Sequence, residues 1–476
     1  MLRKLLILVA LSAVACGGGG QKPATPGGAI STTRVPTGDN AQVVFYARLM
    51  HEIDPGILWD VRKVSLERAD GSQVDLATEN RVLDTDRLIG GQKLLRVGPV
   101  PQGDYVGITF FTEAAHLKPD NTPMLIETNI LTVDHAFSAI AGNSTTLTLV
   151  FSHPGAGEQA EPVFTPVIEI EGENQRPTSR LVYVANENSM NVSVIDKDLK
   201  RVVYNTFIGA RPSAIAADNR RGRLYICDRR TGTLYEMDMM SNHLMNVTEL
   251  DYVDEPAYVV PVPEKDLIIV VNYGTDSVHL LDSFSLQRVS TIEVGRRPTK
   301  AIYSTVWELA FIISSLHGTL SVLDLEFTPV APDTVLQAEL RPSGLAINEA
   351  DDWLYVSNEG STDITVIKME TLAVERSLTV GTGVNDIAFD PFGRRLYVAF
   401  GFSREIKCID PYNGVEIFTV SVPGEPTQVL FDTDEKKLYA VLPSVNGVAV
   451  IDPALRTLET IIETGENPSG VALRLY

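Results

Sequence analysis

A group of four short β-rich runs recurs at a near-constant period from about residue 180 to the C-terminus. Its clearest copy is LVYVANENSMNVSVIDKDLKRVVYNTFIGARPSAIA, residues 181–216. It reads as a strand (181–185), a loop, a strand (192–195), a turn, a strand (202–208), a loop, and a fourth strand after Pro212. Each run is bounded by turn residues. Three anchors test the period. The bulky residue of the first run falls at Tyr183, Tyr225, Ile269, Phe311, Tyr355, Tyr397 and Tyr439. The residue closing the second run falls at Asp196, Asp238, Asp282, Asp324, Lys368, Asp410 and Asp452. Both series advance by 42, 44, 42, 44, 42 and 42 residues. The residue opening the fourth run falls at Pro212, Pro256, Pro298, Pro342, Val384, Pro426 and Pro468, and its steps differ only in where the 44s occur. A fixed period of this size signals a repeat architecture. Three anchors in phase make seven repeats.

Four strands per repeat and seven repeats predict an all-β chain with a seven-bladed β-propeller over residues 180–476. An open solenoid would carry atypical capping repeats, and none is visible. The array begins in mid-blade. If the proline-led run is the innermost strand, the first blade lacks its own, while residues 468–476 (PSGVALRLY) have no later strands to follow. Pairing 469–474 with 181–185 closes the ring and removes both exposed edges.

The repeat resembles the YVTN-type β-propeller repeat of bacterial and archaeal surface proteins. Tyr183-Val184-Ala185-Asn186, Val192-Ser193-Val194-Ile195-Asp196 and Gly209-Ala210-Arg211-Pro212 carry the resemblance. It implies the fold over about residues 180–476. It implies little about activity, because one propeller hosts many functions.

Residues 1–16 read as a signal segment: Arg3 and Lys4, an apolar stretch over 5–14, then Ala13-Val14-Ala15-Cys16. This resembles a bacterial lipoprotein signal, which implies cleavage before Cys16, lipidation of its thiol, and a membrane partner through that anchor. The alternative is an ordinary secretory signal with an incidental cysteine. The apolar run is too short to span a bilayer comfortably. Residues 17–40 are rich in Gly, Pro and Thr and read as a flexible tether. Gly17 rather than an aspartate follows the cysteine, which by resemblance to sorting in Gram-negative lipoproteins implies the outer membrane. Residues 41–170 hold apolar or alternating runs at 43–49, 61–66, 94–97, 105–111, 124–133, 145–151 and 163–170. Short strands at this spacing predict a β-sandwich. Residues 97–105, VGPVPQGDY, resemble the turn and strand of small prealbumin-like sandwich domains of unknown function. Residues 171–179 are a polar linker. The sandwich is expected to be a spacer or second binding module that the ring can fold without.

Forty basic and sixty-one acidic residues leave a net charge of −21, which excludes nucleic acid as a partner. There is no Cys-x-x-Cys-His for haem, no Gly-x-Ser-x-Gly elbow and no His-Glu-x-x-His helix. The repeats hold only His243, His279 and His317, too few for a His-rich copper cluster. No cofactor, metal or catalytic residue is therefore assigned. Cys227 and Cys408 fall in distant blades, beyond disulfide reach, and read as small buried apolar residues. The recurring Asp that closes the second run reads as a turn cap, as do Asn186, Asn272 and Asn358.

One set departs from the repeat. The residues before the fourth runs are Arg211, Glu255, Arg297, Arg341, Gly383, Glu425 and Asn467. The loops after the first runs, expected at the same end of the ring, add Arg229, Arg230 and Arg404. These arginines suit bidentate binding of a carboxylate or phosphate. They equally suit a solvated mixed rim in which Glu255 and Glu425 offset them. The expected function is non-catalytic: an envelope-anchored binding or scaffold lipoprotein presenting a ring of loops to a partner protein or an extracellular polymer. One alternative is a hydrolase of the lactonase type, which needs titratable groups converging on the channel mouth. Another is a component of a secretion or surface-assembly system.

Overall fold

The computed structural model describes residues 40–88, 91–118, 120–153, 162–172, 180–326 and 332–475. The signal segment, Cys16, nearly all of the tether and most of the linker lie outside the described residues. The described chain is almost entirely β.

Among the described residues, seven antiparallel sheets of four strands each follow residue 180. Their innermost strands are Pro468–Leu473 in ring sheet 1, Pro212–Asp218 in 2, Pro256–Val262 in 3, Pro298–Ser304 in 4, Pro342–Asn348 in 5, Val384–Asp390 in 6 and Gln428–Asp432 in 7. Each innermost strand touches the next, and the last touches the first. The result is a propeller-like ring. The residue after the opening proline or valine stitches neighbours together. The Ser213 hydroxyl donates to the Pro256 carbonyl at 3.1 Å, Ser343 to Val384 at 2.6 Å, Asn385 to Pro426 at 2.9 Å and Ser469 to Pro212 at 2.7 Å. The aspartates that close the third strands cap the turns that follow. Asp196, Asp238, Asp282, Asp410 and Asp452 each accept from the backbone N–H groups two and three residues on.

Ring sheet 1 is assembled from both ends of the repeat array. Leu181–Asn186, Asn191–Asp196 and Arg201–Phe207 precede the other sheets in sequence, and Pro468–Leu473 follows them. Val182 faces Leu473 and Val184 faces Val471 across this antiparallel pairing. The seam is locked by a buried ion pair. Lys197 Nζ lies 2.5 Å from Asp432 Oδ2 of ring sheet 7, with side chains 1% and 0% exposed. The equivalent places in ring sheets 2, 4 and 5 hold buried Met239, Leu325 and Met369. Asn219 of ring sheet 2 donates to the Leu473 carbonyl at 3.2 Å and accepts from the Leu475 amide at 2.9 Å. Arg180 pairs with Glu435 on the same seam.

Residues 40–172 form two sheets around one apolar core. One holds Lys93–Pro101, Asn40–Leu49, Ser144–Ser152 and Val167–Glu171 in that order. The other runs Gln73–Asp84, Ile57–Arg68, Gly103–Leu117 and Thr122–Pro123, with Ile130–Ala139 also paired to Gly103–Leu117. Phe45, Trp59, Phe110, Phe151 and Phe164 fill the space between them. The strand Gln73–Asp84 was not apparent in sequence, because its apolar alternation stops after Leu76 in a polar stretch. The run 124–133 is also not one strand: Leu125 makes an isolated bridge to Val163, and a strand begins only at Ile130.

The N-terminal sheets pack directly on the ring. The outer face of the four-stranded sheet is not solvated. Val44, Tyr46 and Leu94 share one apolar cluster with Val184, Ile195 and Val202 of ring sheet 1 and with Val448, Val450 and Ile462 of ring sheet 7. A buried polar network crosses the same contact. The Gln42 amide donates to the Ser189 carbonyl at 2.5 Å, and its oxygen accepts from Asn191 at 2.9 Å and Ser144 at 2.7 Å. Asn205 donates to Thr146 at 3.0 Å. Polar groups buried in this way must be satisfied, and here each sheet supplies partners to the other.

The lock makes a testable claim. Replacing Lys197 by Met strands the Asp432 carboxylate in a buried site and should cost about 3–5 kcal/mol. Adding Asp432→Asn, which removes the charge but keeps an acceptor for the Asp434 and Glu435 amides, should recover part of that loss. Denaturant unfolding of wild type, single and double variants decides it; equal stability of the single variant and wild type would mean the pair does not hold the seam.

Candidate functional site

The alternating strand directions divide the turns between two ends of the ring. The proline end carries the turns leading into the innermost strands and the turns between the second and third strands. All six candidate arginines lie there. The backbone of the entry turn is left-handed at Glu255, Arg297, Arg341, Gly383 and Asn467, with φ of 45°, 52°, 54°, 82° and 53°. Glycine and asparagine adopt that conformation cheaply; arginine and glutamate do not.

The arginines do not form one cluster of free guanidinium groups. Arg229 reaches Glu255 at 3.0 Å and lies 3.9 Å from the centre of the Tyr273 ring; Arg297 approaches the same ring at 5.5 Å. Arg341 pairs with Glu359 at 2.9 Å. The backbone amides of Arg211 and Arg230 bond to Asp228, while their side chains, like that of Arg404, are exposed. The most exposed large apolar side chains at this end are Tyr252 at 74%, Leu340 at 71% and Phe402 at 82%. Phe402 lies over Gly383, where a Cβ would come within 2.7 Å of its ring.

The far end opens into the centre of the ring. A cavity of about 710 Å³ runs inward from the exposed turn residues Thr305, Glu349 and Pro391 to Tyr258, Lys300 and Gln428. These deep residues occupy the third position of the repeat's fourth run, counted from its opening Pro256, Pro298 or Pro426. Five further residues at about 3.3 Å each make the cavity roughly 17 Å deep. Its walls are mainly apolar, including Ile302, Tyr303, Ile347, Phe389, Leu430 and Phe431.

The third position around the ring reads Ala214, Tyr258, Lys300, Gly344, Asp386, Gln428 and Gly470. Lys300 of ring sheet 4 reaches past ring sheet 5 and pairs with the buried Asp386 of ring sheet 6. Gly344 permits this, since a Cβ there would sit 2.7 Å from Asp386 Oδ1. Asp386 also accepts from the Ile387 amide at 2.9 Å and the Val429 amide at 3.1 Å. Burial pushes its carboxyl up, against the pull of Lys300 and of those two amides. Burial also opposes the Lys300 ammonium, but the Asp386 carboxylate outweighs it and holds the lysine above its ordinary value. This pair escaped the sequence reading, although a lysine and an aspartate at one repeat position within apolar strands were the available signal.

The remaining titratable groups are structural in their surroundings. Cys227 and Cys408 are free and buried, and burial pushes the Cys408 thiol up to about 12. His317 lies in the turn beside Gly318, and His243 is exposed. Among the described residues, no group of three His, Cys, Asp or Glu side chains is placed to hold a metal ion.

His279 is the exception with a measurable consequence. It is buried in ring sheet 3, its Nδ1 3.6 Å from Asp254 Oδ2 and its Nε2 3.3 Å from the Arg288 guanidinium. Burial lowers its affinity for a proton; Asp254 and Asp251 oppose this and Arg288 reinforces it. A histidine depressed in the folded state contributes stability that is fully present above its unfolded value, about 6.5. That stability is lost as pH falls from there towards the folded value. Stability in this window should fall more steeply in wild type than in a His279→Gln variant, by at most about 1.4 kcal/mol per pH unit. Parallel stability–pH curves for the two proteins between pH 6.5 and 5 would refute the assignment.

No protein-family model matches this chain, and no curated protein matches it. Solved structures do. A hydrazine synthase of Kuenenia stuttgartiensis is 16% identical, with 55% of this chain and 89% of that one covered and a TM-score of 0.49. A functionally unknown protein from Desulfotomaculum acetoxidans is 13% identical, with 62% and 98% covered and a TM-score of 0.55. A Bacteroides fragilis protein described as a "putative 6-phosphogluconolactonase" is 14% identical, with 62% and 98% covered and a TM-score of 0.51. The last two likenesses concern the fold, which is propeller-like and all-β.

Proposed function

We propose that this chain is a seven-bladed β-propeller with an N-terminal β-sandwich docked across blades one and seven, and that it is a non-catalytic binding lipoprotein. Its proline end binds a partner protein or an extracellular polymer. One observation carries this reading: Tyr252, Leu340 and Phe402 stand exposed at the end that also bears the six arginines. Aromatic residues and arginine are enriched in the centres of protein interfaces, where a few such anchors supply most of the binding energy. A role as a component of a secretion or surface-assembly system would use the same surface.

The test compares wild type with a Tyr252→Ser/Leu340→Ser/Phe402→Ser variant by cross-linking in intact envelopes. A partner recovered with wild type should be lost with the variant, while the melting temperature stays within a few degrees. The rival reading is a lactonase-type hydrolase. The channel offers it little, because the two charges at its deep end, Lys300 and Asp386, neutralise each other. Turnover of a panel of lactones that vanished on substituting one channel residue would replace the binding reading with the hydrolase.

The anchor is proposed on the sequence of residues 1–16. Cys16 carries the lipid and the outer membrane receives it. Replacing Cys16 by Ser should move the protein out of the membrane fraction or leave its signal uncleaved. Fractionation and gel mobility identical to the parent would exclude lipidation.

A further inference from the structure

The deep end of the channel holds more hydrogen-bond donors than the protein uses. Of the three ammonium protons of Lys300, one is engaged by Asp386. Gln428 accepts from the Val471 amide at 3.1 Å through its oxygen, which leaves its amide N–H groups without a protein partner among the described residues. The Tyr258 hydroxyl is likewise without one, and its ring lies 5.6 Å from the Lys300 ammonium. These three side chains line one cavity, below walls that are mainly apolar.

We propose that this channel binds an uncharged amphiphile that enters from the far end, with a carbonyl or hydroxyl leading and an apolar body behind it. The leading oxygen accepts from Lys300, Gln428 or Tyr258, and the body packs against Ile302, Ile347 and Leu430. The charge of the ligand follows from the ion pair. Lys300 and Asp386 already neutralise each other, so a carboxylate would add an uncompensated charge at the buried end of a mainly apolar channel. A cation would meet the repulsion of the Lys300 ammonium, and the one carboxylate beside it, Asp386, is already paired. The carboxylate nearest the mouth, Glu349, is occupied by the Ser304 hydroxyl and the Thr305 amide at 3.1 and 3.0 Å. The site is at the opposite end from the arginine-bearing rim, so it stands or falls independently of the rim's partner.

The probes are heptan-2-one, heptanoate and heptylamine, which share a chain length and differ in charge. They are titrated calorimetrically into the chain from residue 17 onward, which keeps every described residue. Heptan-2-one should bind saturably with a Kd of about 1 mM or tighter. Heptanoate and heptylamine should bind at least about tenfold more weakly. Tyr258→Phe removes a hydroxyl that no protein group uses and should weaken the ketone several-fold without unfolding the ring. The double variant Lys300→Met/Asp386→Leu removes the polar floor as a neutral unit and should abolish discrimination among the three probes. No saturable binding of the ketone would overturn the proposal. So would a preference for either charged probe, or wild-type behaviour in both variants.

Discussion

Everything in the ring depends on one pairing between segments almost 290 residues apart in sequence, Leu181–Asn186 with Pro468–Leu473. The other six ring sheets are built from continuous chain, hairpin after hairpin, and each can begin to form locally. Ring sheet 1 cannot. Until Pro468–Leu473 arrives, Leu181–Asn186 presents an open edge, and ring sheets 1 and 7 present apolar faces to water. Contact between the first and last innermost strands therefore converts an open row of sheets into a closed one.

This explains why the seam is chemically unlike the other junctions. In ring sheets 2, 4 and 5, buried Met239, Leu325 and Met369 occupy the place after the turn-capping aspartate or its equivalent. At the seam that place holds Lys197, paired with Asp432. A buried ion pair is not more stabilising than well-packed apolar residues, but losing one partner leaves the other charge buried and unpaired. Ring sheets 2 and 6 hold buried Asp218 and Asp390 at the place of Asp432, so it is the lysine, and not the carboxylate, that sets this junction apart. The N-terminal four-stranded sheet adds to this difference. Gln42 and Tyr46 fit a face of ring sheet 1 made polar by Asn191, Ser193 and Asn205.

The strand grammar was legible in the sequence because repetition multiplies a weak signal. A single Tyr, Asp or Pro predicts little, but three residue types in phase over some three hundred residues fix strand, turn and strand. The N-terminal region has no repeat, and there the reading lost the strand Gln73–Asp84 and misplaced the start of Ile130–Ala139. Its docking was illegible for a different reason. Gln42, Asn191 and Asn205 are polar residues in strands, which alternation assigns to solvent, and only the folded chain brings them together in a buried network. The rim arginines were legible as residues but not as partners. Arg229 is seen to share Glu255 and Tyr273, and Arg341 to take Glu359, only once turns from different sheets adjoin.

The channel pair reveals the general rule. A repeat protein whose blades were identical would have a symmetric axis, and seven equal side chains at the third strand position would leave no room for an asymmetric ligand. Here that layer is broken by size as well as charge. Gly344 and Gly470 bring no side chain, Tyr258 brings a large one, and the space over Gly344 is used by Lys300 to reach a sheet two places away. The repeat builds the wall, so mutations to its anchors act on stability. The departures from the repeat, which are Lys197 at the seam and Lys300, Gly344 and Asp386 on the axis, make one junction and one direction different from the rest. In a ring of near-equivalent sheets, any specific recognition has to come from such residues, because the repeated ones present the same chemistry seven times over.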